Sequence, residues 1–140
     1  MPRCDAIALY CQDVRQEKSD QLSLVGVFPD AIQISGSGRV IPKLAIYFTI
    51  FASIDFVFSD LYLKLLSPSN DTITSTHVDI ERLATTAKLS AQDNDPIYRA
   101  TLFHIMTPFH VGDGGLFRAV ATMNGEEIIC GSLRIKVDSD

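Results

Sequence analysis

The chain predicts an all-β fold, a two-sheet antiparallel sandwich of about eight strands with at most one short helix. Three observations carry that expectation. From Leu44 to Phe58 every even position is apolar, while Thr49, Ser53 and Asp55 stand among the odd ones; a period of two marks extended chain with one face in a core. Asn124-Gly125 joins two β-favouring runs, and that dipeptide suits the left-handed conformations of a two-residue hairpin turn. Turn residues recur at short intervals, as at Pro29-Asp30, Ser67-Pro68-Ser69-Asn70-Asp71 and Asp113-Gly114-Gly115, the punctuation of a sandwich rather than a helical bundle.

The elements follow in order. Cys4 to Val14 is β-compatible and ends in a polar stretch, Gln16 to Gln21, that reads as a hairpin loop. Leu22 to Phe28 is the returning strand, with Gly26 marking a bulge or a close backbone contact. Ala31 to Ile34 resumes after Pro29-Asp30, and Ser35-Gly36-Ser37-Gly38 is a flexible turn. The run to Phe58 is far longer than an ordinary strand of about 5–6 residues. It is either one strand bent at Ala52-Ser53 or a strand that overhangs its sheet and pairs with a second copy. Leu61 to Leu66 returns. Thr72 to Ile80 has alternating β-branched residues, whereas Ile80, Leu83, Ala84, Ala87 and Ala91 fit one helical face; a short helix or an irregular crossover is expected up to Asp95. Ile97 to Met106 is apolar on both faces, and Leu116 to Met123 with Glu127 to Val137 forms the closing hairpin.

Composition bounds the function classes. A chain of 140 residues is one domain, 1–140, long enough to bury about two-thirds of its unfolded surface without metal or disulfide staples. A net charge of −5 with scattered basic residues argues against nucleic acid and anionic membranes as partners. The segment Met1-Pro2-Arg3-Cys4-Asp5 lacks the apolar stretch of a signal peptide, and the Leu44–Phe58 run is too short and too polar at Thr49, Ser53 and Asp55 for a membrane helix. A cytoplasmic address is expected. Three cysteines, Cys4, Cys11 and Cys130, an odd number without a close pair, read as buried free thiols rather than a disulfide framework.

Gly115-x-Phe117-x-Ala119-x-Ala121-x-Met123-Asn124-Gly125 resembles the penultimate strand and following turn of an immunoglobulin-type sandwich. Phe117 stands where that fold's corner tyrosine would be and Ala119 where its cysteine would be, and the chain has no Trp. The resemblance therefore implies an architecture and nothing chemical. The N-terminal Cys4 strand, Gln21-Leu22-Ser23-Leu24-Val25-Gly26-Val27-Phe28, a Pro before the long apolar strand and the closing Gly-x-Phe…Asn-Gly-Glu hairpin are together similar to a family of short bacterial proteins known as a domain of unknown function. That likeness implies a small β-sandwich and no catalytic residue.

Candidate chemistry is thin. His104, His110 and Asp113 are the residues that a loop-end pocket would gather, and His77-x-Asp79 would set an imidazole and a carboxylate on one face. No HxH, HExxH or CxxC spacing accompanies them, so neither a metal nor another cofactor is expected. Cys11 and Cys130 are the thiols to weigh as nucleophiles; Cys130 shares parity with Ser132, Arg134 and Lys136, but no Gly-x-Ser-x-Gly elbow or oxyanion loop is present. Ser35-Gly36-Ser37-Gly38-Arg39 lacks the Gly-Lys-Ser/Thr ending of a phosphate loop. Glu126, Glu127, Asp138 and Asp140 read as solvated charge.

The residual signal is apolar. Tyr47, Phe51 and Val57 fall on the nominally outer face of the long strand, where they belong either to a central strand's second core face or to an interface. The expected protein is thus a non-enzymatic β-sandwich interaction module that forms a homo-oligomer, with an unidentified protein partner as a further option. The alternative is a sandwich binding a small molecule or metal around His104, His110 and Asp113.

Overall fold

The computed structural model describes residues 3–35 and 39–138; the Gly36-Ser37-Gly38 part of the expected turn lies outside them. Eleven strands and one helix follow in the order β1 (Cys4–Gln16), β2 (Leu22–Val27), β3 (Ala31–Ile34), β4 (Val40–Ile41), β5 (Leu44–Ser53), β6 (Leu61–Leu66), β7 (Thr72–His77), α1 (Ile80–Gln92), β8 (Ile97–Met106), β9 (Phe109–His110), β10 (Gly115–Met123) and β11 (Glu126–Val137). The expected count of about eight rises because β3 is a separate strand at the edge of the five-stranded sheet and the two-residue β4 and β9 pair with each other.

A four-stranded sheet has the order β2-β1-β5-β8 and a five-stranded sheet the order β3-β11-β10-β6-β7. Every pairing is antiparallel except β3 on β11, which is parallel. The first strand sits inside its sheet, whereas the immunoglobulin constant-type order keeps it at an edge. The likeness of the closing hairpin is local.

The two sheets enclose one core. Alternation sends Leu44, Ile46, Phe48, Ile50 and Ala52 of β5 inward, with Ala6, Ala8 and Tyr10 of β1 beside them. Leu61, Leu63 and Leu65 of β6, Phe117, Ala119 and Ala121 of β10, and Leu133 and Ile135 of β11 meet them from the second sheet. The sheets approach closely at Gly131, where a Cβ would come 2.7 Å from the Ala8 carbonyl oxygen; there the Tyr10 hydroxyl donates to the Gly131 carbonyl at 3.0 Å. Gly26 holds a positive φ of 64° with the Gln12 side chain packed over it, a place only glycine takes without strain.

Strand β5 ends at Ser53 rather than Phe58. The chain turns at Ile54-Asp55, with the Phe56 amide donating to the Ser53 carbonyl at 2.9 Å. Phe56 and Phe58 still pack on the core, edge to face with ring centroids 4.8 Å apart. That is why the even-position pattern continues past the strand.

Both readings of residues 72–95 hold in succession, a strand and then a helix. Asp79 caps α1 by accepting the Glu81 amide at 3.0 Å, an arrangement that satisfies a helix-end donor. The Thr85 and Thr86 hydroxyls donate to the carbonyls four residues back, so these β-branched residues fit the helix without burying a free hydroxyl. Leu83 is buried, and Ile80 and Ala87 pack on the core. The helix crosses from β7, an edge of one sheet, to β8, an edge of the other, and packs against β8. An edge strand covered this way is a poor template for further pairing.

Candidate interaction face on the four-stranded sheet

Strand register assembles the outward positions of the four-stranded sheet into rows. Asp5–Phe51–Arg99, Ile7–Thr49–Thr101, Leu9–Tyr47–Phe103 and Cys11–Ala45–Ile105 each run across β1, β5 and β8, and β2 adds Val27 beside Cys11. At one end Cys11 and Ala45 are fully covered by Val14, Leu22, Leu24 and Ile105. The middle is partly open: Ile7 is 48% exposed, Leu9 43% and Phe103 42%, with Tyr47 and Phe51 half-buried and Thr49 buried between them.

Charge sits at the ends of this face. Asp13 pairs with Lys43 at 3.1 Å and with Arg15 at 3.7 Å. The hydrogen bond from Lys43 holds its carboxyl below the usual range. At the other end Asp5 and Arg99 are exposed and take no salt-bridge partner among the described residues.

The outward face of the five-stranded sheet is built differently. Its rows read Glu127–Thr122–Tyr62–His77, Ile129–Val120–Lys64–Ser75 and Ser132–Arg118–Leu66–Thr72. Lys64 lies over the Tyr62 ring and His77 packs against that ring at a tilt of 40°, with ring centroids 4.7 Å apart. Polar and charged side chains interrupt every row, as expected of a face turned to water.

Tyr47 and Phe51 therefore lie on the face where alternation puts them. Val57 does not. It sits in the 54–60 loop beyond the end of β5, 79% exposed, its carbonyl accepting from Asn124 Nδ2 at 2.8 Å. Ile7, Leu9 and Phe103 belong with Tyr47 and were missed. Their parity is visible in the sequence, but their neighbourhood depends on pairing between strands far apart in the chain.

His104, His110 and Asp113 are not gathered into one pocket. His104 points between the sheets, its Nε2 3.1 Å from Thr74 Oγ1 on β7. It lines a narrow crevice of about 40 Å³ with Ile46, Phe48, Leu63, Leu65 and Leu102, a volume fit for a few waters. His110 is exposed on β9 and paired in register with Val40. Asp113 is exposed and bound to Arg39 at 2.6 Å. Among the described residues no three His, Cys, Asp or Glu side chains are placed to hold a metal.

Of the three thiols expected to be buried, Cys11 is, whereas Cys4 and Cys130 are only partly buried. A bulge in β11 sets Gly131 opposite Ala119 and Ile129 opposite Val120, so Cys130 is the extra residue and packs on the core rather than on the polar side. Burial pushes its thiol up to about 11 and that of Cys4 to about 12, with Asp5 adding to the latter. Burial also raises Cys11. None is a thiolate at neutral pH, and the thiolate is the nucleophile.

Among the described residues no helix is long and apolar enough to cross a membrane. No protein-family model matches this chain, and no curated protein matches it.

Proposed function

We propose that the protein is a non-enzymatic β-sandwich interaction module that self-associates through the outward face of its four-stranded sheet. The contrast between its two outer faces carries this reading: one is interrupted by charge in every row, the other exposes Ile7, Leu9 and Phe103 around Tyr47 and Phe51. The open rows span three strands, β1, β5 and β8; at about 4.8 Å per strand and ten residues of about 3.3 Å each they cover roughly 480 Å². Two copies would then bury about 950 Å², the size of a weak, transient interface. Both resemblances, to the immunoglobulin-type hairpin and to the short bacterial proteins of unknown function, imply an architecture and bring no catalytic residue. The three free thiols suit the cytoplasm, where such groups stay reduced. The alternative, a ligand or metal pocket around His104, His110 and Asp113, loses support because His104 points between the sheets toward Thr74 while His110 and Asp113 sit exposed at the β4–β9 end.

The test is the mass in solution of the full chain and of a Leu9→Ser/Phe103→Ser variant, by sedimentation equilibrium. Both residues are over two-fifths exposed, so the fold tolerates the change. The parent is expected at a multiple of 15.4 kDa and the variant at that mass alone. A parent that stays monomeric at about 100 μM, a concentration at which even modest interfaces associate, refutes self-association.

A further inference from the structure

We propose that the association is a two-fold pairing in which β1 of one copy lies over β8 of the other, closed at one end by two reciprocal Asp5–Arg99 ion pairs. The proposal rests on the self-associating role above and specifies its geometry. Closed dimers are isologous, each patch meeting its own copy about a two-fold axis. For two stacked sheets that axis lies in the plane between them, and aligned packing leaves it running either along the strands or across them.

An axis along β5 exchanges the ends of every row. Asp5 then faces the partner's Arg99, Leu9 faces the partner's Phe103, and Phe51 and Tyr47 each face their own copy. The rows of the open face place these residues in register on β1, β5 and β8. Sheets stack about 10 Å apart, a gap that an Asp and an Arg side chain reaching toward each other span. An axis across the strands, centred on the Leu9–Tyr47–Phe103 row, keeps β1 over β1. That sets Asp5 against the partner's Asp13, four residues on the far side of Leu9, and leaves Arg99 facing no carboxylate. There Asp5 meets a carboxylate whose neighbouring cations, Lys43 and Arg15, are already engaged with it. Asp5 and Arg99 are exposed and have no ion-pair partner among the described residues. In the along-strand pairing each meets an opposite charge.

Charge reversal tests this. Asp5→Arg and Arg99→Asp are made singly and together, and self-association is measured by sedimentation equilibrium at low and high salt, with circular dichroism to verify the fold. Each single variant sets two like pairs face to face and is expected to associate about tenfold more weakly at low salt, with less effect at high salt. The double variant is expected to recover the parent affinity. Mixing the two single variants decides the matter: one copy carries two cations and the other two anions at the four positions, so the mixture is expected to form a heterodimer more readily than either homodimer. Single variants that associate like the parent, or a mixture without preference, overturn the pairing while leaving self-association standing. A monomeric parent overturns the proposed function itself.

Discussion

Gly131→Ala is expected to push the two sheets apart where β11 runs close to β1. The added Cβ would lie 2.7 Å from the Ala8 carbonyl oxygen and 3.7 Å from the Ala8 Cβ. The first distance is well inside van der Waals contact, and its atom is backbone, so no side chain can rotate away. Opening the gap moves β11 relative to β1 and stretches the Tyr10 hydroxyl bond to the Gly131 carbonyl, now 3.0 Å. Overpacking of a tight core costs about 1–3 kcal/mol, and weakening the hydrogen bond adds about 1 kcal/mol. A loss of about 2–4 kcal/mol follows, which for a chain of this length lowers Tm by roughly 10 °C. Urea unfolding followed by far-ultraviolet circular dichroism reads it as a lower midpoint at unchanged slope. A Gly131→Ala midpoint equal to the parent's would refute the close approach of β1 and β11.

Two further outcomes follow from the same packing. Asn124→Gly keeps the residue that a left-handed turn position favours, but removes the side chain that accepts from the Ser59 amide at 2.7 Å and donates to the Val57 carbonyl at 2.8 Å; a loss of about 1–2 kcal/mol and faster proteolytic cleavage between residues 54 and 60 are expected, and parent-like cleavage counts against the tether. Raising the pH should destabilise the fold from about pH 9 upward. The Cys4 and Cys130 thiols ionise near 9.0 when the chain is unfolded but only at about 12 and about 11 when folded, so the unfolded state sheds protons first. Stability is full below pH 9 and declines through 11 to 12. Denaturant midpoints from pH 7 to 11 check this, and a Cys4→Ala/Cys130→Ala variant should show a shallower decline.

Much of this molecule was legible in local pattern. The even positions from Leu44 to Ala52 are buried because a strand's side chains alternate and water rejects the apolar set. Asn124-Gly125 makes its hairpin because its backbone preferences are local, with φ of 52° and 83°. Where the pattern misled, a distant partner intervened. Phe56 and Phe58 prolonged the alternation past Ser53 because a loop returning to the core buries aromatic rings as a strand does. Cys130 changed sides because a bulge adds one residue, and the bulge exists only against Ala119 and Val120 of the neighbouring strand.

The candidate face divides in the same way. Tyr47 and Phe51 could be placed on one side of β5 by counting residues. Val57 could not be excluded by counting, since nothing local shows where pairing stops. That Leu9 and Phe103 flank Tyr47, that Asp5 and Arg99 end one row, and that His104 stands apart from His110 and Asp113 are consequences of register. Local preferences set which residues alternate and where turns are cheap, because they act within a few bonds. Tertiary structure alone decided which strands lie side by side and which face stays open, because those choices depend on contacts among residues tens of positions apart.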